Sequence, residues 1–200
     1  MSADKINNAG AYILAGGKSS RMGEDKGLMS FRGKILAEYP AQVLSSLFPE
    51  IAIVTGNAYY KKLGYETVPD KILNAGPAGG ILSALHHTAY RKNFIVACDM
   101  PFITRASVQF ILDNSHNAEI TIPVFNGKMQ PMFGVYDSLC SAKWEELVES
   151  RIRKLETLVK HFELRLIEVD SYEFFNEKIF ANMNTPENIN EENRDNKIGN

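Results

Sequence analysis

The chain has 200 residues, of which 44% are hydrophobic and 23% charged, the composition of an ordinary globular protein with room for one substantial core. Its formal net charge of -2 excludes a global attraction to nucleic acid or to an anionic membrane. It holds no apolar run of about 18 residues, and the start Ser2-Ala3-Asp4-Lys5 lacks the apolar centre of a secretory signal, so a cytoplasmic protein is expected.

Residues 1–10 are polar and are expected to form a flexible N-terminus, residues 11–189 a single domain, and residues 190–200, with almost nothing to bury, a flexible tail. The apolar run 11–15 predicts a buried strand. It opens directly into Gly16-Gly17-Lys18-Ser19-Ser20-Arg21-Met22-Gly23-Glu24-Asp25-Lys26, a small-residue loop with several cations. Two adjacent glycines let backbone N–H groups approach an anion without Cβ interference. Arg21 grips phosphate oxygens in pairs and Lys26 acts as a compact point charge, so the loop reads as a triphosphate cradle. It is not a P-loop, because Met22 stands five positions after Gly17 and Gly33-Lys34 is followed by Ile35. Nor is it a dinucleotide fingerprint, because Gly16 and Gly17 are adjacent and the next glycine is Gly23; a nicotinamide cofactor is not expected.

Further along, three-to-four spacing of Ala37, Val43, Leu44 and Leu47 predicts a helix over 36–47, and a strand over 51–55 leads into Thr55-Gly56-Asn57. A weaker strand at 65–68 ends before Asp70. Gly76-Pro77-Ala78-Gly79-Gly80 is a helix entrance whose free N–H groups could meet an anion, and the helix over 79–90 places Ile81, Leu82, Leu85 and Ala89 on one face. The strand 94–98 is followed by Asp99 and the chain-turning Met100-Pro101. Asp99 therefore stands at a strand's carboxyl end, where it can hold a Mg2+ that bridges triphosphate oxygens; its other reading is a helix cap. Strands at 119–125, 131–136 and 164–169, with a helix over 138–148 carrying Cys140, Trp144, Leu147 and Val148, complete an alternation that predicts an α/β chain with a mainly parallel sheet covered on both faces. Cys98 and Cys140 form no Cys-x-x-Cys pair and read as buried small residues; the four histidines form no metal motif.

From Leu14 to Lys26 the sequence resembles the signature L-A-G-G-x-S-x-R-M-G-x-D-K of the molybdenum cofactor guanylyltransferases. The resemblance implies a three-layer α/β/α, Rossmann-like nucleotidyltransferase fold that includes an antiparallel strand. It implies nucleotide contacts from Leu14, Ala15, Gly16 and Gly17, mainly through backbone, with Arg21 and Lys26 facing the phosphates as catalytic cations and Asp25 orienting Lys26. Cys98-Asp99-Met100-Pro101-Phe102 is similar to the family motif that coordinates metal and nucleotide. Asp70 matches a nucleotide-binding aspartate, its other reading being a turn acid. Gly80, in Gly-Pro-x-x-Gly, lines the family's nucleotide pocket. Asn57 is favoured over Thr55 as a nucleotide contact, since Thr55 stands where Asn is frequent. Gln130-Pro131-Met132 resembles a Q-P-L strand facing the acceptor. Asn182-Met183-Asn184-Thr185-Pro186-Glu187 matches N-x-N-T-P-E and puts Asn182 and Asn184 on the acceptor side, although Thr185 before Pro186 is also a good helix cap.

The implied activity is Mg2+-dependent transfer of GMP from GTP to the terminal phosphate of molybdopterin, with or without its molybdenum, with transient contacts to molybdoenzyme maturation proteins. Asn in place of Asp in N-x-N-T-P-E, and L-A-G-G in place of L-A-A-G, favour guanine over cytosine. The alternatives are a related transferase that uses CTP or a sugar phosphate, and a nucleotide-binding module without turnover.

Overall fold

Every residue of the first strand, β1 (Ala9–Leu14), is buried, as a strand covered on both faces must be. The computed structural model describes residues 5–16, 25–181 and 183. After β1 come a short hairpin, β2 (Ser30–Phe31) and β3 (Lys34–Ile35), then α1 (Glu38–Leu47), β4 (Ala52–Val54), α2 (Tyr59–Lys62), β5 (Glu66–Val68), α3 (Pro77–His87) and β6 (Lys92–Ala97). The second half runs α4 (Arg105–Asp113), β7 (Ile120–Phe125), β8 (Lys128–Met129), β9 (Phe133–Asp137), α5 (Ser141–Glu149), α6 (Leu155–Leu158) and β10 (Leu164–Glu168).

The main sheet has the order β10-β7-β9-β6-β1-β4-β5, with β8 paired to β7. β1 lies parallel to both β4 and β6, β4 to β5, and β7 to β10, whereas β9 is antiparallel to its neighbours β6 and β7. Mainly parallel pairing is what the residues predicted, and β9 supplies the antiparallel strand that the resemblance implied; β8 adds a further antiparallel pairing, to β7. The strand order departs from β1 in two directions, towards β4 on one side and β6 on the other. That reversal opens a crevice at the carboxyl ends of β1 and β6, where ligands of such sheets bind.

Successive residues of a strand face opposite layers. Ala11 and Ile13 of β1, with Phe94 and Val96 of β6, meet Leu44 and Leu47 of α1 and Val108 and Ile111 of α4. Tyr12 and Leu14, with Ile95, meet Ile81, Leu82 and Leu85 of α3 and Trp144 and Val148 of α5. Trp144 satisfies its indole N–H on the Ala78 carbonyl at 2.9 Å and so fastens α5 to α3.

Several expectations need correction at their edges. β1 begins at Ala9, and Ile6 donates its N–H to the Leu47 carbonyl at 2.7 Å, so the expected flexible N-terminus is anchored from Ile6 onward; residues 1–4 and the tail 190–200 lie outside the described residues. Helix α3 starts earlier and ends at His87, which leaves Ala89 exposed beyond it instead of on its buried face. Ser83 and Ala84 are buried as well, because α3 is covered by α5 on its outer side. The β2–β3 hairpin has no counterpart in the sequence reading. Its turn needs positive φ at Arg32 (46°) and Gly33 (83°), and two-residue strands are too short to show a period. Both thiols are buried and unpaired, as expected.

Candidate active site

The ends of β1 and β6 are stitched together and to β4. Cys98 donates its N–H to the Leu14 carbonyl at 3.1 Å, and Ala15 donates to the Val54 carbonyl at 2.9 Å. Two of the backbone groups expected to meet a nucleotide are thus committed to the sheet, because β1 is an interior strand and both its neighbours claim its last polar groups. The chain parts from the sheet at Gly16. A Cβ added there would lie 3.2 Å from the Asp70 Oδ2, so Asp70, which follows β5, looks directly onto the start of the loop. Burial holds the Asp70 carboxyl above the usual carboxylate range. Gly17 and Arg21 lie outside the described residues.

The chain is described again from Asp25, which caps a 3-10 turn over Lys26–Leu28. From this turn Lys26 extends its Nζ to 3.8 Å from the Asp99 Oδ2, with the two side chains 28% and 15% exposed. The gap is an ion pair's and too long for a direct hydrogen bond. Burial pushes the Asp99 carboxyl up; Lys26 and a backbone N–H partly offset it. The structure therefore brings together Lys26 and Asp99, 73 positions apart in the chain, at the end of the strand pair that flanks the crevice.

Asp25, expected to orient Lys26, directs its side chain to its own turn and to the segment after β4. Its carboxylate accepts from the Gly27 N–H at 3.1 Å, from Asn57 Nδ2 at 3.0 Å and from the Tyr60 hydroxyl at 2.8 Å. It holds the turn that carries Lys26, so its influence passes through the backbone. Asn57 is also differently employed: its amide N is on Asp25 and its Oδ1 accepts from the Tyr59 N–H at 3.0 Å, so its side chain braces the wall of the site. Thr55 is buried, and its hydroxyl accepts the Asn57 N–H at 3.1 Å. Tyr60 was missed from the sequence. Tyr59 and Tyr60 are adjacent in a helix of one turn, and no period separates the buried ring from the exposed one.

The α3 entrance is not the open set of amides that the sequence suggested. Gly79 and Gly80 both donate to the Gly76 carbonyl, at 3.0 and 3.2 Å, and Pro77 has no N–H to offer. At Gly80 an added Cβ would sit 3.3 Å from the Leu14 Cδ2, so the missing side chain lets α3 close on β1. Asn182 and Asn184 lie outside the described residues. Met183 between them donates its N–H to the Asp99 carbonyl at 3.0 Å and is buried with Phe31 and Leu36. The Gln130-Pro131-Met132 segment reaches the same edge, since Ala97 donates to the Met132 carbonyl at 3.0 Å. His86 pairs with Lys71 and Glu145, and His87 with Glu66 and Tyr12.

Among the described residues no group of three or more His, Cys, Asp or Glu could enclose a metal ion. Asp99 offers one carboxylate, mostly buried and raised by burial, facing Lys26. Such a donor suits a hard cation whose remaining positions are filled by phosphate oxygens and water, as Mg2+ prefers, and a cation there would relieve the cost of burying the charge.

A family model described as a MobA-like NTP transferase domain matches residues 11–165. A probable molybdenum cofactor guanylyltransferase of Flavobacterium johnsoniae is 32% identical over 182 residues, which are 90% of this chain and 94% of that protein. Among solved structures, the molybdopterin-guanine dinucleotide biosynthesis protein A of Archaeoglobus fulgidus superposes with a TM-score of 0.79 at 20% identity, over 96% of this chain and 100% of that one. A Mycobacterium tuberculosis structure, Rv0371C in complex with manganese, shares the fold with a TM-score of 0.67 at 15% identity, over 94% and 98% of the two chains.

Proposed function

The chain belongs to the MobA-like NTP transferase family, and from that premise we propose that it transfers GMP from GTP to the terminal phosphate of molybdopterin, releasing pyrophosphate. The observation that carries the reading is the meeting of Lys26 and Asp99 at the switch point of the sheet, 3.8 Å apart. A cation and a desolvated carboxylate on one sheet edge suit a magnesium triphosphate, not a hydride donor or an acyl group.

In the reaction an oxygen of the acceptor's terminal phosphate forms a bond to the α-phosphorus of GTP, and the bond from that phosphorus to the bridging oxygen of the β-phosphate breaks. The electron pair leaves with pyrophosphate. The acceptor is already an anion, so no strong general base is needed, and alignment with charge neutralisation supplies most of the catalysis. Lys26, together with Arg21, faces the phosphates and meets the charge that grows on the leaving group. Gly16 and Gly17 offer backbone N–H groups, Asp70 looks onto the nucleotide, Asn57 and Gly80 shape the walls, and Asn182 and Asn184 attend the acceptor. Asp99 would hold the Mg2+, which supplies neutralisation of triphosphate charge when bound.

The test is pyrophosphate release by the purified protein with Mg2+ and molybdopterin, comparing GTP, CTP, ATP and UTP. Release with GTP is expected, reduced about 10²–10³-fold by Lys26→Ala with the circular dichroism spectrum unchanged. Release with CTP alone would transfer the protein to the cytidylyl relatives, and tight Mg-GTP binding without release would make it a binding module.

A further inference from the structure

The ring of Tyr60 is entirely buried, and burial pushes its hydroxyl far above the usual tyrosine range, so it remains a donor at any working pH. A hydroxyl at that depth has to be bonded. This one donates to Asp25, 35 positions earlier in the chain. Of the three groups that donate to the Asp25 carboxylate, Gly27 belongs to the turn itself, while Asn57 and Tyr60 come from the β4–α2 segment. One carboxylate therefore fastens the turn bearing Lys26 to the body of the sheet. Gly27 is shaped for that fastening: an added Cβ would fall 2.2 Å from the Tyr60 hydroxyl oxygen and 3.2 Å from the Cys98 Sγ. Tyr59, 47% exposed, points the other way and cannot take over the role.

We propose that Tyr60 is a positioning residue of the transfer reaction, its hydroxyl fixing through Asp25 the turn that aims Lys26 at Asp99. This rests on the reading of Lys26 as a phosphate-facing cation, and its test is built so that the two can fail separately.

Tyr60→Phe keeps the ring and deletes the donor. Its kcat for pyrophosphate release is expected to fall about 10- to 100-fold, as a displacement of roughly 1 Å does, while KM for GTP changes by less than about threefold. Because both substitutions act through one amine, Lys26→Ala with Tyr60→Phe should be no slower than Lys26→Ala alone; a merely structural lesion would multiply the two losses. Independently of turnover, acylation of Lys26 by an N-hydroxysuccinimide ester, followed by peptide mass spectrometry with Lys62 as internal reference, should be at least about threefold faster in Tyr60→Phe, as expected of a loosened turn. If Tyr60→Phe does not fold, Asp25→Asn keeps the ring and is read by the same measurements. A kcat within about twofold of the parent, unchanged labelling, or multiplied losses in the double variant would overturn the proposal. Silence of the parent with every nucleotide overturns the functional reading instead, and labelling then decides the positioning on its own.

Discussion

Gly27→Ala is the smallest change that tests how the site is held. The new methyl would stand 2.2 Å from the Tyr60 hydroxyl, where ordinary contact begins at 3.4 Å, so one partner must retreat by more than an ångström. The ring cannot retreat, because it is fully buried in the layer that includes Ile53, Ala37 and Leu44. The turn must therefore move outward and lose the bond between Tyr60 and Asp25. Losing a hydrogen bond to a charged group costs about 1.5–3 kcal/mol and overpacking about 1–3 kcal/mol, so a destabilisation of roughly 3–5 kcal/mol is expected. Lys26 is the neighbouring residue and moves with the turn, so kcat should fall by about 10²-fold. Urea unfolding followed by tryptophan fluorescence measures the first quantity, since Trp144 is buried on the far face, and pyrophosphate release measures the second. A variant within about 1 kcal/mol of the parent, turning over at the parental rate, would refute the claim that Gly27 and Tyr60 interlock.

Two further outcomes follow from the carboxylates. Because burial raises Asp99, lowering the pH should protonate it above the usual carboxylate range and weaken Mg-GTP binding there; Asp99→Asn should bind at least about tenfold more weakly, with no such pH dependence, while melting no lower than the parent at neutral pH. Isothermal titration and thermal melts check both halves, and a parallel pH profile in the variant would be fatal. Asp137 has the opposite sign. It is buried, and although burial pushes its carboxyl up, the Leu139 N–H at 3.0 Å, Arg91 at 2.9 Å and Lys92 at 3.3 Å outweigh that and hold it below the usual range. Its stabilisation is present above an unfolded pKa of about 3.9 and is lost as pH falls through the folded value. Asp137→Asn should cost about 2–3 kcal/mol at neutral pH, less than a wholly buried pair because Arg91 is largely exposed, and the difference should shrink below about pH 4 in urea titrations. A difference that stays constant down to pH 3 would contradict the assignment.

The strands were legible because buried parallel strands are continuous apolar runs, and the carboxyl-end position of Asp99 was legible because Met100-Pro101 must turn the chain. That the sheet includes an antiparallel strand came from resemblance, and which strand it is, β9, is given only by the pairing, since residue types alone do not give strand direction. What composition cannot show is which hydrogen bonds close. Gly-Pro ahead of α3 suggests open amides, yet Gly76 accepts from both glycines that follow Ala78. Asn57, read as a nucleotide contact, bonds Asp25 and Tyr59 through its side chain, because a short amide in a tight bend is drawn first to the nearest charge and backbone. Tyr60 left no trace in the pattern, since a one-turn helix offers no repeat from which to infer a face.

The two charges of the site are held by different means, and the difference has a physical reason. Asp99 stands two positions beyond Ala97 and Gly16 two beyond Leu14, and the register pairs Leu14 with Ala97. A slip of one residue would reverse every side chain of β1 between the two core layers, exchanging Ile13 for Leu14 and Ala11 for Tyr12, so the register of the sheet itself fixes where the acid stands and where the chain leaves β1. Lys26 has no such register. It comes ten positions after Gly16, and its side chain is long and rotamer-rich, so on the proposed reading each degree of freedom left to it would cost entropy on meeting a phosphate. The carboxylate of Asp25, drawing donors from Gly27, Asn57 and Tyr60, fixes the backbone of the turn one residue before the cation. On the proposed reading, a sheet edge suffices for the acid that would hold metal, and the cation that would meet the phosphates has a fastener of its own.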